Sequence, residues 1–420
     1  MSASAISLER AALVDWYTRN RARSAMIFDF IDPESYYAQP IALRHPFAFY
    51  EGHIPAFSFL TLNERALGEA PLDAGLERLF ERGIDPADAE AAKSYARADW
   101  PSRQQIQDFA RACDRRVESA LRDATLIDPQ VPPLRRGQAA YTILEHEPMH
   151  HETLMYLIHQ LPDAQKNAPS QGHRDGAPPR NAFVAISAGR ITLGANPDEL
   201  DFGWDNEFPE VRAEVGEFEM QRYPVTNADY LEFIEAGGPV PLFWAQRDGQ
   251  WLLRTAFETI ALPRSWPVYV THEQAQLYAN WKGWRLPSEA QFHRAAYGDP
   301  NGPERAFPWG ADKPEPRHGN FGFRRFDPEP VDAHPDGASA FGVEDLVGNG
   351  WEWTSTAFEP FAGFDPMASY PQYSADFFDG KHFVMKGASP VTATEFIRRS
   401  FRNWFYEDYP YMYAKFRCAR

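Results

Sequence analysis

The sequence predicts a multidomain protein of α and α+β class. A helical bundle spans residues 1–161, a connecting stretch covers 162–180, and a loop-dominated α+β domain fills 181–420. Three observations carry this expectation. The chain has 420 residues, more than one core usually holds. Apolar residues in the first part recur at helical spacing. From Asn181 onward, short apolar stretches alternate with Gly and Pro turns instead.

The helices can be placed in order. Leu8 to Ile31 gives the first, and Tyr50, His53, Phe57 and Leu60 share one face of the second. Ile106, Phe109, Ala110, Cys113, Val117, Ala120 and Leu121 mark the third, with Ser102 and Gln105 as a capping box at its start. Tyr141 to Leu161 gives the fourth. Four helices with one long connection make a bundle. The stretch PDAQKNAPSQGHRDGAPPR, residues 162–180, is rich in Pro, Gly and polar residues and reads as a linker. Beyond it, FVAISAG, ITLGA and HFVMKGA read as short apolar strands. Helices are expected around Asn227 to Glu235 and His272 to Trp281. No internal repeat is visible.

Composition excludes several functions. The net charge of -17 disfavours nucleic acid and anionic membrane as partners. No apolar run approaches the roughly 20 residues of a membrane span. The N-terminus, MSASAISLERAALVDWYTRNR, lacks an apolar signal core and reads as a helix, not a targeting segment. Two cysteines, Cys113 and Cys418, cannot build a disulfide framework or a zinc ribbon. A reducing cytoplasm is expected, with any metal held by histidine or carboxylate.

The string LEHEPMHHETLMY holds the chemistry. His146 and His150 are four apart, so on a helix both imidazoles can reach one ion. Glu152 lies about 200° around the axis from His150 and is expected to pack or to act behind the ligands. His151 is also off the shared face. Pro148 removes one helical hydrogen bond, and a kink or widened turn is expected there. A third ligand should come from another helix, and His53 is the best candidate. Spacing alone also allows two histidines that merely fill surface or core. The same string matches the H-E-x-x-H pattern of zinc proteases, with Glu147 as base. Against that alternative stand Pro148 and the lack of any further ligand motif downstream.

Several motifs of the C-terminal half appear in order: DNEFPEV, YPVTNADYLEFIEAGG, PVYVTHEQAQLYANWKGWRLPSEAQF, PWG, FGVEDLVGNGWEWT, VMKGAS and the closing FRCAR. Together they resemble the sulfatase-modifying-factor domain, which has the formylglycine-generating-enzyme fold, a variant of the C-type-lectin-like fold. No cysteine lies in ASPVTATEFIRRSFRNWF, where formylglycine-generating enzymes carry their catalytic pair, so that activity is not expected. The signature His146, His150 and Glu152 resembles that of DinB-like four-helix bundles. A DinB-like bundle followed by this domain resembles the sulfoxide synthases of thiol-imidazole biosynthesis, the EgtB-like family, with some features of the ovothiol branch, OvoA.

The resemblance implies Fe(2+) held by His53, His146 and His150, the first from the G-H of EGHIPAF. It implies O2-dependent C–S bond formation between cysteine, or a related thiol, and the imidazole of hercynine, giving a sulfoxide. In SYPQYSADFFDG it implies Tyr370 as proton donor and Tyr373 as a neighbour lining the imidazole pocket. In the R-N-W motif it implies Arg402, Asn403 and Trp404 at the substrate, and a Trp face suits a quaternary cation. Arg103, Arg398 and Arg402 are candidates for substrate carboxylates. Met149 stands where one EgtB type has a Gln that bonds the substrate imidazole. Phe405 stands where that type has an Asp for γ-glutamylcysteine, which favours free cysteine. HPFAFYEGH and LEHEPMHHET resemble the ovothiol branch equally, so histidine is the alternative imidazole substrate. A zinc hydrolase and a lectin-like binding module are further alternatives. Gly348 and Gly350 are expected to permit turns, and Trp351 and Trp353 to pack the core.

Overall fold

The computed structural model describes residues 9–81 and 100–420. The chain divides into two compact units. One holds the chain up to Pro169 together with Met367–Pro371; the other holds Ser170–Pro366 and Gln372–Arg420.

The first unit is helical: α1 (Arg10–Asp29), α2 (Phe47–Ser58), the short α3 (Ala74–Phe80), α4 (Arg103–Asp123) and α5 (Gln138–Gln160). The expected start of the first helix at Leu8 lies outside the described residues. In α4 the predicted stripe Ile106, Phe109, Ala110, Cys113, Val117, Ala120 and Leu121 is the buried face, and the Ser102–Gln105 capping box is formed. α2 buries every residue but Glu51, as a helix apolar on all sides must. The open carbonyls at the end of α4 are met by Arg10 of α1, which donates to Arg122 O at 2.9 Å and Ala124 O at 2.8 Å.

No widened turn forms at Pro148: α5 is α-helical throughout. Leu144 O, which Pro148 cannot serve, instead accepts from Asn20 Nδ2 of α1 at 2.8 Å. The widened turn occurs elsewhere, where α2 runs on from Pro55 into a π-helical stretch, Phe59–Ala66.

Residues 162–180 carry one 3-10 turn, Asp163–Gln165, and no longer regular element. Asp175 accepts from Ser265 Oγ at 2.6 Å and from the amides of Arg264 and Ser265, which ties this part of the stretch to the second unit.

The second unit contains β1 (Phe183–Ile186), β2 (Gly189–Leu193), β3 (Val211–Val215), β4 (Phe218–Gln221), α6 (Asn227–Glu235), β5 (Trp244–Arg247), β6 (Gln250–Arg254), β7 (Thr259–Ala261), α7 (His272–Trp281), α8 (Glu289–Tyr297), β8 (Gly350–Ala357), β9 (His382–Ala388), β10 (Asn403–Tyr406) and β11 (Ala414–Lys415). The central sheet has the order β10-β9-β8-β11, with β11 parallel to β8 and the other pairs antiparallel. β1 pairs with β4, β2 with β3, and β5, β6 and β7 form a meander. α6 and α7 have the predicted bounds. α8 was not anticipated, although Ser288 and Gln291 form a capping box there just as Thr271 and Gln274 do for α7.

The core of this unit mixes aromatic packing with buried ion pairs. Trp204, Trp266, Trp351 and Trp353 are fully buried. Gly348 has φ +101°, and a Cβ there would lie 2.6 Å from Asn320 N, so a glycine is required. Behind β8, Arg417 makes two bonds to Glu352, at 2.6 and 3.0 Å, and also donates to the carbonyls of Gln221, Arg222, Glu344 and Asp345. Among the described residues no helix is long and apolar enough to cross a membrane. Removing one partner of a buried pair strands the other, so Arg417→Met should cost about 3–5 kcal/mol of stability, measured as a shift in urea midpoint at unchanged slope.

Candidate metal centre

The three predicted histidines meet inside the helical unit. His53 Nε2 is 3.2 Å from His150 Nε2, and His150 Nε2 is 3.0 Å from His146 Nε2. Metal bonds of about 2.0–2.1 Å meeting at a right angle would place two nitrogens about 3.0 Å apart. Among the described residues this is the one group of three His, Cys, Asp or Glu side chains arranged to hold an ion. All three ligand atoms lie within 4.8 Å of one another.

Protonation also suits an ion. His53 Nδ1 lies 2.6 Å from Phe80 O, and a carbonyl only accepts, so Nδ1 carries the proton and Nε2 offers its lone pair. Burial lowers the His53 pKa to about 4, against the opposing pull of the Phe80 carbonyl. Burial also holds His146 and His150 well below the ordinary imidazole value, aided by their imidazole neighbours. Three neutral imidazoles therefore face one point, a donor set that suits iron, zinc, copper or nickel.

Aromatic rings fix the imidazole planes. Phe57 stacks on His146 with centroids 3.5 Å apart, and Phe49 on His53 at 4.9 Å. Residues 49, 53 and 57 form one i, i+4 stripe of α2, so the helix that carries a ligand also carries its clamps. Gly52 explains the G-H pair. A Cβ there would lie 2.5 Å from the ring of Phe80, the residue whose carbonyl holds His53.

The other acidic and histidine side chains of the motif point to different partners. Glu147 Oε1 accepts from Arg21 at 2.9 Å and Ser24 at 2.5 Å, both on α1. His151 Nε2 also meets Ser24 Oγ, at 2.9 Å. The base that a zinc hydrolase needs is thus held in a buried network with an arginine. Glu152 accepts from Tyr156 at 2.6 Å and is absent from the ligand group.

Tyr370 belongs to the helical unit although the chain on both sides of Met367–Pro371 does not. Its ring lies 5.2 Å from Phe57 and 6.2 Å from His146, both edge-on. The neighbouring Ser369 anchors it: Thr142 Oγ1 is 2.7 Å from Ser369 Oγ, and Gln138 Oε1 accepts from Ser369 N at 3.0 Å. Gln138, Thr142, His146 and His150 follow one another every fourth residue along α5, so the ligand stripe continues into the anchor.

Residues 170–420 match the family described as sulfatase-modifying factor enzyme 1-like domain, and residues 17–154 match the DinB superfamily. The hercynine oxygenase of Mycolicibacterium thermoresistibile is 31% identical over 96% of this chain and 92% of that protein. That of Mycolicibacterium smegmatis is 35% identical over 64% of this chain and 67% of its own length. This chain belongs to the EgtB-like hercynine oxygenase family. Ergothioneine biosynthesis protein 1 of Schizosaccharomyces pombe is 27% identical over 97% of this EgtB-like chain and 56% of that longer protein.

The remaining candidates of the EgtB-like chain have varied surroundings. In the second unit Tyr373 stacks on the buried Trp204 at 3.9 Å and meets Trp404 edge-on at 5.3 Å. One face of Trp404 is covered by Phe358 at 4.2 Å. Asn403 Oδ1 accepts from Trp404 N. Phe405 stacks on Tyr409 at 4.9 Å. Met149 is partly exposed on α5, just before His150.

The three candidate arginines are all bound to carboxylates. Arg103 pairs with Glu51 at 3.1 Å and lies over the ring of Tyr36, while Tyr36 OH also donates to Glu51. Arg398 pairs with the buried Glu207 at 2.5 and 2.8 Å. Arg402, itself buried, pairs with Glu289 at 3.0 Å. Arg398 and Arg402 thus already face buried carboxylates within the protein. Arg44, which the sequence did not single out, has a field that reaches His150 and helps to keep it neutral. Both cysteines are free and buried, with thiol pKa values raised by burial, as expected of side chains outside thiol chemistry.

Two outcomes are expected. Gly52→Ala should push the Phe80 ring from its packed position and loosen the Phe80 O–His53 bond. Metal affinity should then fall about 10-fold or more in a chelator competition, although no ligand has changed. The second concerns Glu207. Burial alone would raise its pKa, but the Arg398 guanidinium, the Ser400 hydroxyl and the Trp204 amide overcome this and hold it below its ordinary 4.5. A depressed carboxyl stabilises the fold above its unfolded pKa and loses that contribution as pH falls through the folded value. With Arg398→Met, acid unfolding followed by tryptophan fluorescence should begin at a higher pH than in wild type.

Proposed function

We propose that this chain is a non-haem iron(II), O2-dependent sulfoxide synthase of ergothioneine biosynthesis, joining the sulfur of cysteine to the imidazole carbon of hercynine. The observation that carries the proposal is the convergence of three neutral imidazole nitrogens, His53, His146 and His150, beside a phenol, in a chain of the EgtB-like family. The reaction balances as thiol plus imidazole C–H plus O2 giving a C–S bond, one S=O oxygen and one water. Both hydrogens of the water come from the bonds that are lost.

His53, His146 and His150 would hold the iron, which when bound supplies the redox chemistry that activates O2 and leaves positions for the thiolate. Phe49 and Phe57 hold two of the imidazoles in plane and keep water off their faces. Tyr370 Oη supplies a proton to the oxygen atom that leaves as water. The resemblance assigns contact with the imidazole substrate to Tyr373, Asn403 and Trp404, and the aromatic Trp404 suits its quaternary ammonium. Phe405 places no carboxylate where a γ-glutamyl amine would need one, which supports cysteine as thiol donor.

Purified protein loaded with Fe(II) should consume O2 with cysteine plus hercynine and yield the mixed sulfoxide by mass spectrometry. Turnover with cysteine plus histidine instead would move the chain to the ovothiol-type reaction, histidine becoming the imidazole substrate. His53→Ala should lose iron. Tyr370→Phe should keep iron while sulfoxide kcat falls about 10²-fold or more. Zinc with peptidase activity, or a protein that takes up no metal, would overturn the proposal.

A further inference from the structure

We propose that Asn20, which touches none of the three imidazoles, is a positioning residue for the metal centre: its side-chain amide replaces the backbone N–H that Pro148 lacks, and so holds the turn that spaces His146 from His150. The inference rests on the metal-centre reading above.

In an α-helix the carbonyl of Leu144 would receive the N–H of residue 148. Pro148 has none, and its ring crowds that same carbonyl, so the usual outcome is a kink. Leu144 is fully buried, and its carbonyl needs a partner from within the protein. Asn20, 1% exposed, provides it from α1 at 2.8 Å. The location gives this bond its importance. Pro148 is two residues from each ligand, so a bend there would change the angle between the His146 and His150 side chains. Their Nε2 atoms are 3.0 Å apart, a separation that a hinge of a few degrees would spoil.

The same face of α1 grips α5 at two more points. Arg21 and Ser24 hold Glu147 Oε1, and Ser24 meets His151 Nε2. Asn20 and Ser24, four residues apart on α1, thus reach Leu144, Glu147 and His151 on α5. These positions bracket and interleave the two ligands, and all three contacts come from the helix that provides no ligand. Glu147 and His151 anchor by side chains, which can swing. Only the Asn20 contact is to the backbone of the ligand helix, and it falls at the position where the helix lacks its own bond.

The test is a double-mutant cycle on the full chain. Fe(II) affinity is measured anaerobically by chelator competition, the Co(II) form is read by its visible spectrum, and melting of the metal-free protein is followed in parallel. Asn20→Leu should weaken Fe(II) binding about 10- to 100-fold and shift the Co(II) bands. In a Pro148→Ala background, residue 148 again has an N–H for Leu144, and adding Asn20→Leu should change affinity by less than about threefold. A merely structural asparagine would lower melting without moving the Co(II) spectrum. Should Asn20→Leu alone not fold, Asn20→Ser, small enough to admit a water to the carbonyl, gives the same comparison with a milder defect. Equal losses in both backgrounds, or unchanged affinity and spectrum in the single variant, overturn the positioning role. A wild-type chain that binds neither Fe(II) nor Co(II) overturns the metal-centre reading and this inference with it, and is told apart by the unmutated control.

Discussion

The helical unit is organised around one constraint: the imidazoles of His53, His146 and His150 stay neutral while aimed at a common point. Imidazoles this close repel a shared positive charge, and burial makes protonation costlier still. Their surroundings are accordingly matched to the uncharged form. A carbonyl fixes the tautomer of His53, two phenylalanines pin ring planes, and the charged groups of the same helix turn are drawn off toward α1. Nothing in this arrangement depends on a loop. The ligands and their clamps sit on α2 and α5, where packed side chains leave little freedom in angle.

The second unit solves a different problem. Its strands are short, and much of its chain is irregular, so backbone carbonyls in its interior lack regular partners. Arginine and lysine supply the missing donors. Arg417 alone serves four carbonyls besides its carboxylate partner, and Lys415 serves the carbonyls of Asp345 and Gly348 besides the Asp345 carboxylate. Arg398 and Arg402, in and near the R-N-W motif, are likewise paired with buried carboxylates. A loop-rich core consumes cations, and a motif rich in arginine is then no guide to substrate charge.

Much of this was legible in the sequence, for identifiable reasons. The stripe on α4, the bounds of α6 and α7 and the pairing of His146 with His150 on α5 all follow from periodicity, which is local. His53 stood out as a candidate by its place on the face shared with Tyr50, Phe57 and Leu60, and the family resemblance implied the same residue. The group that serves the carbonyl Pro148 leaves open, Asn20, is more than a hundred residues away in sequence, and no local rule reports such a partner. The commitments of Arg398 and Arg402 were hidden for the same reason, since Glu207 and Glu289 are equally remote. The α8 helix was missed despite a visible S-x-x-Q start, a signal that could have been used.

Five residues, Met367–Pro371, leave the compact unit that flanks them in the chain and join the other. The boundary between two recognisable families is therefore not the boundary between two separable parts. A bundle excised at residue 169 would keep His53, His146 and His150 and lose Tyr370, which the remainder would carry away from them. Exchanging the bundle for a relative's would therefore also require matching Ser369 to the side chains of Gln138 and Thr142.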